Sequence, residues 1–120
     1  MSYAAKTLLI FSVYLAIVAA LFVLVPNVLL EFLGLQPTHE VWIRIVGMCL
    51  GGLAFYYAVG AWQNITPFIQ LTVYARSLTI FFFTGLVLLG LTQPVVIVFG
   101  VIDLLGAIWT EVALRSDARR

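Results

Sequence analysis

Charge is scarce in this chain. Only 9% of its 120 residues are Asp, Glu, Lys or Arg, and 64% are hydrophobic. Soluble domains carry about 25% charged residues. A solvated globule is therefore excluded, and an integral membrane protein is indicated. The net charge of +1 and the lack of any basic stripe exclude nucleic acid as a partner. One cysteine, Cys49, excludes an intrachain disulfide and any multi-cysteine metal or iron–sulfur site. Its apolar neighbours point to a small buried packing residue. One histidine, His39, excludes bis-His haem ligation within a single chain. No Gly-rich phosphate loop, nucleophile elbow or pair of catalytic carboxylates is present. The expectation is a protein that is not an enzyme and has no resident cofactor.

What is there is long apolar sequence. Four segments, about 5–33, 41–62, 67–91 and 94–114, are followed by a polar tail, 115–120. A hydrocarbon core of about 30 Å needs roughly 20 apolar residues, and each segment supplies them. The first is far longer than the ~7–15 apolar residues of a signal peptide, so it reads as an uncleaved span. The breaks are Gly34–Glu40, Gln63–Pro67 and Thr92–Pro94. Gly34 and Pro37 suit a helix stop. Thr66 suits an N-cap, with Pro67 in the first turn. Short loops predict that consecutive helices are antiparallel neighbours. The expected fold is all-α: one integral membrane domain, a four-helix up-down-up-down bundle.

Four spans place both termini on one side. Lys6, Arg115, Arg119 and Arg120 lie there, and the opposite side has Arg44 alone. The positive-inside rule then puts both termini in the cytoplasm; the expected location is a bacterial inner membrane. Trp42 marks one interface, and Trp62 and Trp109 the other.

Two opposite charges stand inside the spans. A charge near the bilayer centre costs at least ~2.5–3.5 kcal/mol, so it should face a partner or a polar cavity. Counting ~1.5 Å per residue places Arg76 roughly 13 Å and Asp103 roughly 16 Å from the cytoplasmic side. An Arg76–Asp103 ion pair is the expectation, with Arg44 paired to Glu31 or reaching down toward Asp103, and Glu111 paired to Lys6 or Arg115. The plain reading is a clasp that fixes helix order. The sharper one is a polar cavity lined by Arg44, Arg76 and Asp103. Small residues mark packing seams: Gly47 and Gly51 on the second helix, and Gly100 and Thr110 on the fourth. Thr72, Arg76 and Thr79 share one face of the third. Phe81–Phe83 wraps around that helix and must partly face lipid or protein. His39 lies near Glu31 and Glu40, a weak ligand set that matches no metal motif. It reads as an interfacial loop residue, or as a single weak ligand to a pigment.

The run Trp42–Gly47, Ala75-Arg76, Asp103, Trp109-Thr110 and the Pro94 helix start are similar to small bacterial four-helix membrane proteins of unknown function, loosely DoxX-like. The resemblance spans about Val41 to Leu114. It implies a compact bundle with a core Arg/Asp arrangement and no particular activity. Nothing in the chain matches a redox centre. Small multidrug-resistance transporters are similar in size and helix count, but they carry a membrane-embedded Glu in the first helix. Here that helix has no acidic residue before Glu31.

The expected function is a non-catalytic accessory subunit of a larger membrane complex, of respiratory or photosynthetic type. The alternative is a small proton-coupled or anion/lipid transporter using Arg44, Arg76 and Asp103. Expected partners are membrane lipids and other integral membrane subunits or further copies of the chain. A bound lipid, quinone or pigment is compatible with either reading.

Overall fold

The structure, a computed structural model, describes residues 1–119. Arg120, counted above among the cytoplasmic cations, lies outside the described residues. The described chain is all-α. Helix α1 is Tyr3–Leu24, α2 Pro26–Phe32, α3 Trp42–Trp62, α4 Thr66–Leu88 and α5 Ile97–Ala118, the last preceded by a 3-10 turn, Pro94–Val96. Four helices are long and apolar enough to cross a membrane: α1, α3, α4 and α5 with its leading turn.

The expected first helix, 5–33, is two helices. Pro26 has no N–H for the Phe22 carbonyl, and its ring clashes there, so the helix stops at Leu24. Val25 leaves helical geometry (φ −139°, ψ 59°), and α2 restarts with Pro26 in its first turn. Thr66 is the first residue of α4 and not its N-cap, a position held by Ile65 without a side-chain bond. Helix α4 ends near Leu88, before the expected 91. There Gly90 takes φ +74° and the Leu91 N–H bonds back to the Leu86 carbonyl at 3.0 Å. Gly34 closes α2 the same way, with φ +76° and Leu35 N–H to the Leu30 carbonyl at 2.8 Å. Glycine adopts this left-handed cap at no steric cost. Helix α5 runs on to Ala118, one turn past the expected end at 114.

Asp117, in that extra turn, fixes the topology. Its carboxylate accepts from the N–H groups of Tyr3 (3.2 Å) and Ala4 (3.0 Å). Ser2 Oγ accepts from Ala5 N–H at 3.1 Å, and the Ser2 carbonyl from Lys6 N–H at 3.0 Å. The free N–H groups of Tyr3, Ala4 and Ala5 that open α1 are thus satisfied, and a carboxylate faces the positive end of the helix dipole. Asn64, in the α3–α4 turn, accepts from Ser2 N–H at 3.2 Å. Both chain ends and this turn therefore share one end of the molecule.

Helix α1 is the centre of the molecule. It packs along α3 and along α5, while α4 packs along α5. The sequential pair α3 and α4 was expected to pack closely and does not. They meet near their joining turn, where the Phe68 ring covers Gly60 and stacks edge-on to Tyr57 at 6.0 Å. A short loop holds helix ends together, but side-chain packing decides whether the rest follows. Cys49 is exposed on α3, not buried as expected. Phe81 and Phe82 are exposed on α4, and Phe83 turns inward onto Phe99 at 6.4 Å.

Two of the expected glycine seams are backbone contacts. A Cβ on Gly47 would lie 2.8 Å from Val23 Cγ2 and 3.0 Å from the Ala19 carbonyl oxygen. One on Gly100 would lie 2.9 Å from Ile80 Cα. Gly51 differs, since its nearest neighbour would be Ala19 Cβ at an ordinary 3.7 Å.

Candidate functional site: a buried arginine at membrane depth

Arg76 is 2% exposed. A side chain on a helix tilts toward the helix N-terminus. Arg76 therefore folds back over its own preceding turn. Its Nε donates to the Thr72 carbonyl (3.2 Å), and its Nη2 to Thr72 Oγ1 (3.3 Å) and Thr110 Oγ1 (2.9 Å). The guanidinium carbon stands 4.7 Å from the centroid of the Phe11 ring on α1, a cation–π contact. Gly106 on α5 makes room for both: a Cβ there would meet the Phe11 ring at 2.9 Å and Arg76 Nη1 at 3.2 Å. Among the described residues Nη1 has no hydrogen-bond partner.

The hydroxyls around Arg76 have one consistent direction. Thr7 Oγ1 donates to the Ala4 carbonyl at 2.8 Å, which uses its only proton. The 2.8 Å contact between Thr7 and Thr110 must then be donated by Thr110. That leaves Thr110 oxygen lone pairs to accept from Arg76. A single chain of donors thus runs from the guanidinium on α4, through Thr110 on α5, to Thr7 and the backbone of α1. Thr72 obeys the same logic: its proton goes to the Ile69 carbonyl at 2.7 Å, so its oxygen accepts from Arg76. In a low-dielectric interior each bond in such a chain polarises the next. The chain ends on a backbone carbonyl, which cannot pass a proton on. The arrangement ties three spans together and offers no relay.

The expected Arg76–Asp103 ion pair is not formed. Among the described residues the one ion pair within 4.0 Å joins Arg115 Nε to Glu111 Oε1 at 3.0 Å, on the surface of α5. That pairing of Glu111 was one of the two anticipated. The failure at Arg76 follows from side-chain direction. Arg76 leans toward the N-terminus of α4, and Asp103 leans toward the N-terminus of α5. The helices are antiparallel, so the two groups lean apart. Asp103 is half-buried at the level of Thr79, with Tyr14, Tyr57 and Arg76 as its other polar neighbours. It acts on Arg76 through space and not through contact.

Arg44 and Glu31 also fail to pair. Arg44 Nη1 donates instead to the Val23 carbonyl, which the break at Pro26 leaves without a helical donor. Arg44 is not brought to Arg76 and Asp103. Val23 lies nine residues beyond Tyr14 along α1, or about 13 Å, so no three-residue cavity forms. His39 is exposed in the loop before α3. Among the described residues no three His, Cys, Asp or Glu side chains cluster as metal ligands do. Of the packing residues, Gly47, Gly100 and Thr110 lie at close contacts.

Sequence reasoning missed Phe11, Thr7 and Gly106. Thr7 carried a usable signal, since Thr7 and Ser12 are the two aliphatic hydroxyls in the apolar run of α1. Phe11 carried none, because one more aromatic in an apolar helix is unremarkable. Comparison with known protein families, curated proteins and solved structures finds no match to this chain.

Proposed function

We propose that this chain is a non-catalytic integral membrane subunit, a structural component of a larger membrane assembly. In this reading it lies in a bacterial inner membrane, with both termini in the cytoplasm on the charge asymmetry of its ends. The observation that carries the proposal is the use made of Arg76. An ionisable group at membrane depth marks a functional pathway by default, and here the Nε and Nη2 donors go to Thr72 and Thr110 and the guanidinium lies on the Phe11 face, in a buried joint between three spans. The surface supports the same reading. Helices α3 and α4 leave their far halves unpaired with each other, and α4 turns Phe81 and Phe82 outward at 72% and 67% exposure. The occupant proposed for that aromatic surface is a helix of another membrane chain.

Photo-crosslinking from benzoylphenylalanine at position 81 or 82, in cells producing the chain at native level, tests this. The expected result is a crosslink to one integral membrane protein that also co-purifies in stoichiometric amount after mild solubilisation. A monodisperse particle of this chain alone, with crosslinks only to lipid, overturns the proposal.

A second reading rests on a different observation. Arg76 Nη1 is buried without a partner, and Asp103 has no ion pair. That is what a small proton-coupled or anion transporter would leave open. Flux in proteoliposomes that is lost in Asp103→Asn would favour it. Flux unchanged in that variant removes Asp103 from any mechanism.

A further inference from the structure

The break at Pro26 opens a cleft at the end of the molecule opposite the termini. It has a volume of about 270 Å³ and lies between the end of α1, the start of α2, the loop before α3 and the first turn of α3. Its polar lining includes Asn27, Thr38, His39, Glu40 and Arg44, and Leu24 and Val28 are among its apolar members. The cleft sits where α1 ends and α3 begins, at one end of two helices long and apolar enough to cross a membrane.

Its walls are held in place by groups that face one another. Asn27 Oδ1 accepts from Thr38 N–H at 2.8 Å, pinning the loop to α2. Thr38 Oγ1 accepts from Glu40 N–H at 3.1 Å, which shapes the chain around His39. One Arg44 nitrogen is tied to the Val23 carbonyl, so the guanidinium is fixed in position. The other Arg44 donors, the His39 imidazole and the Glu40 carboxylate enter no hydrogen bond or ion pair within the described chain. Cationic donors and an anionic acceptor therefore line one cleft without neutralising each other.

We infer that this cleft binds the headgroup of a zwitterionic phospholipid bearing a primary amine. The phosphodiester takes the Arg44 fork and His39, and the ammonium takes Glu40. A guanidinium matches phosphate geometry with paired donors. An ammonium offers three N–H donors to a carboxylate, and a quaternary amine offers none. Leu24 and Val28 stand where the first acyl methylenes of a lipid would leave the cleft. The shared chemistry, a phosphoester with an amine, could also come from a soluble compound, so the test separates the two sources.

Delipidated protein in detergent would be titrated with phosphatidylethanolamine, phosphatidylcholine and phosphatidylglycerol of identical acyl chains. Native mass spectrometry would read the bound fraction. O-phosphoethanolamine would serve as a soluble competitor. The expected result is preferential retention of phosphatidylethanolamine. Arg44→Gln should lower it by ~10-fold, and Arg44→Lys by less, since lysine keeps the charge and loses the fork. Glu40→Gln should shrink the preference over phosphatidylcholine, because it removes the ammonium hydrogen bonds as well as the charge attraction that both headgroups share. His39 and Glu40 lie in an exposed loop, so variants there test the site even where Arg44→Gln perturbs the end of α1. Equal retention of all three lipids by the wild type, or unchanged selectivity in Glu40→Gln, overturns the inference. Displacement of lipid by O-phosphoethanolamine at matched concentration would assign the cleft to a soluble phosphoester and also overturn the lipid assignment.

Discussion

Thr110→Val is expected to lower the stability of the folded chain by about 2–3 kcal/mol, although valine matches threonine in shape. Thr110 is fully buried, and its hydroxyl links Arg76 to Thr7. Neutral hydrogen bonds between membrane helices average only ~0.6 kcal/mol. A bond to a buried charge is worth ~1.5–3 kcal/mol, and this variant removes one bond of each kind. Thr7 keeps its own bond to the Ala4 carbonyl, so the cost falls on Arg76, whose Nη1 already has no partner. Thr110→Ser keeps the hydroxyl and should retain most of the stability. Chemical denaturation in detergent micelles measures both. A Thr110→Val cost below ~0.6 kcal/mol would mean that the guanidinium does not depend on this bond.

Gly100→Val should be about as damaging, at ~2–3 kcal/mol, by a different route. A Cβ at Gly100 meets the Ile80 backbone at 2.9 Å, and backbone cannot rotate away as a side chain can. The two helices must separate, and that disturbs the Thr79–Asp103 level and the Phe83–Phe99 contact below and above it. Gly51→Ala is the control. Its added methyl finds Ala19 Cβ at 3.7 Å, ordinary contact, and alanine favours the helix by up to ~1 kcal/mol over glycine. It should be neutral or stabilising. The same thermal or chemical unfolding assay separates the two variants. Equal effects at Gly51 and Gly100 would contradict the packing described here.

The four spans were legible in the sequence because length and apolarity are properties of each segment alone. Boundaries failed where a local rule was overlooked or overridden. Pro26 was a visible helix breaker inside an apolar run. Helix α5 continued through Arg115–Ala118 because Asp117 gains two backbone donors at the start of α1, a contact between residues 113 and 114 positions apart. No local pattern carries that. Arg76 and Asp103 were recognisable as buried charges, but depth alone suggested that they pair. Depth omits direction. The backward tilt of each side chain sends Arg76 toward Thr110 and Asp103 toward Thr79. The splaying of α3 from α4 was equally hidden, since loop length constrains helix ends and not helix faces. Arg44 and Glu31 carry opposite charges toward the same end of the molecule, which suggested a pair. The carbonyl freed by Pro26 offered Arg44 a nearer acceptor.

The central claim is that Arg76 holds the fold through the hydroxyl chain to α5 and α1, and not through an ion pair with Asp103. A pair of double-mutant cycles tests it most directly. One combines Arg76→Leu with Thr110→Val, and the other combines Arg76→Leu with Asp103→Asn, each read by reversible unfolding in micelles. Residues in contact within one network couple by ~0.5–3 kcal/mol. The expected result is a coupling of at least ~1 kcal/mol between Arg76 and Thr110, larger than that between Arg76 and Asp103. A dominant Arg76–Asp103 coupling, with Arg76 and Thr110 additive, would contradict the account.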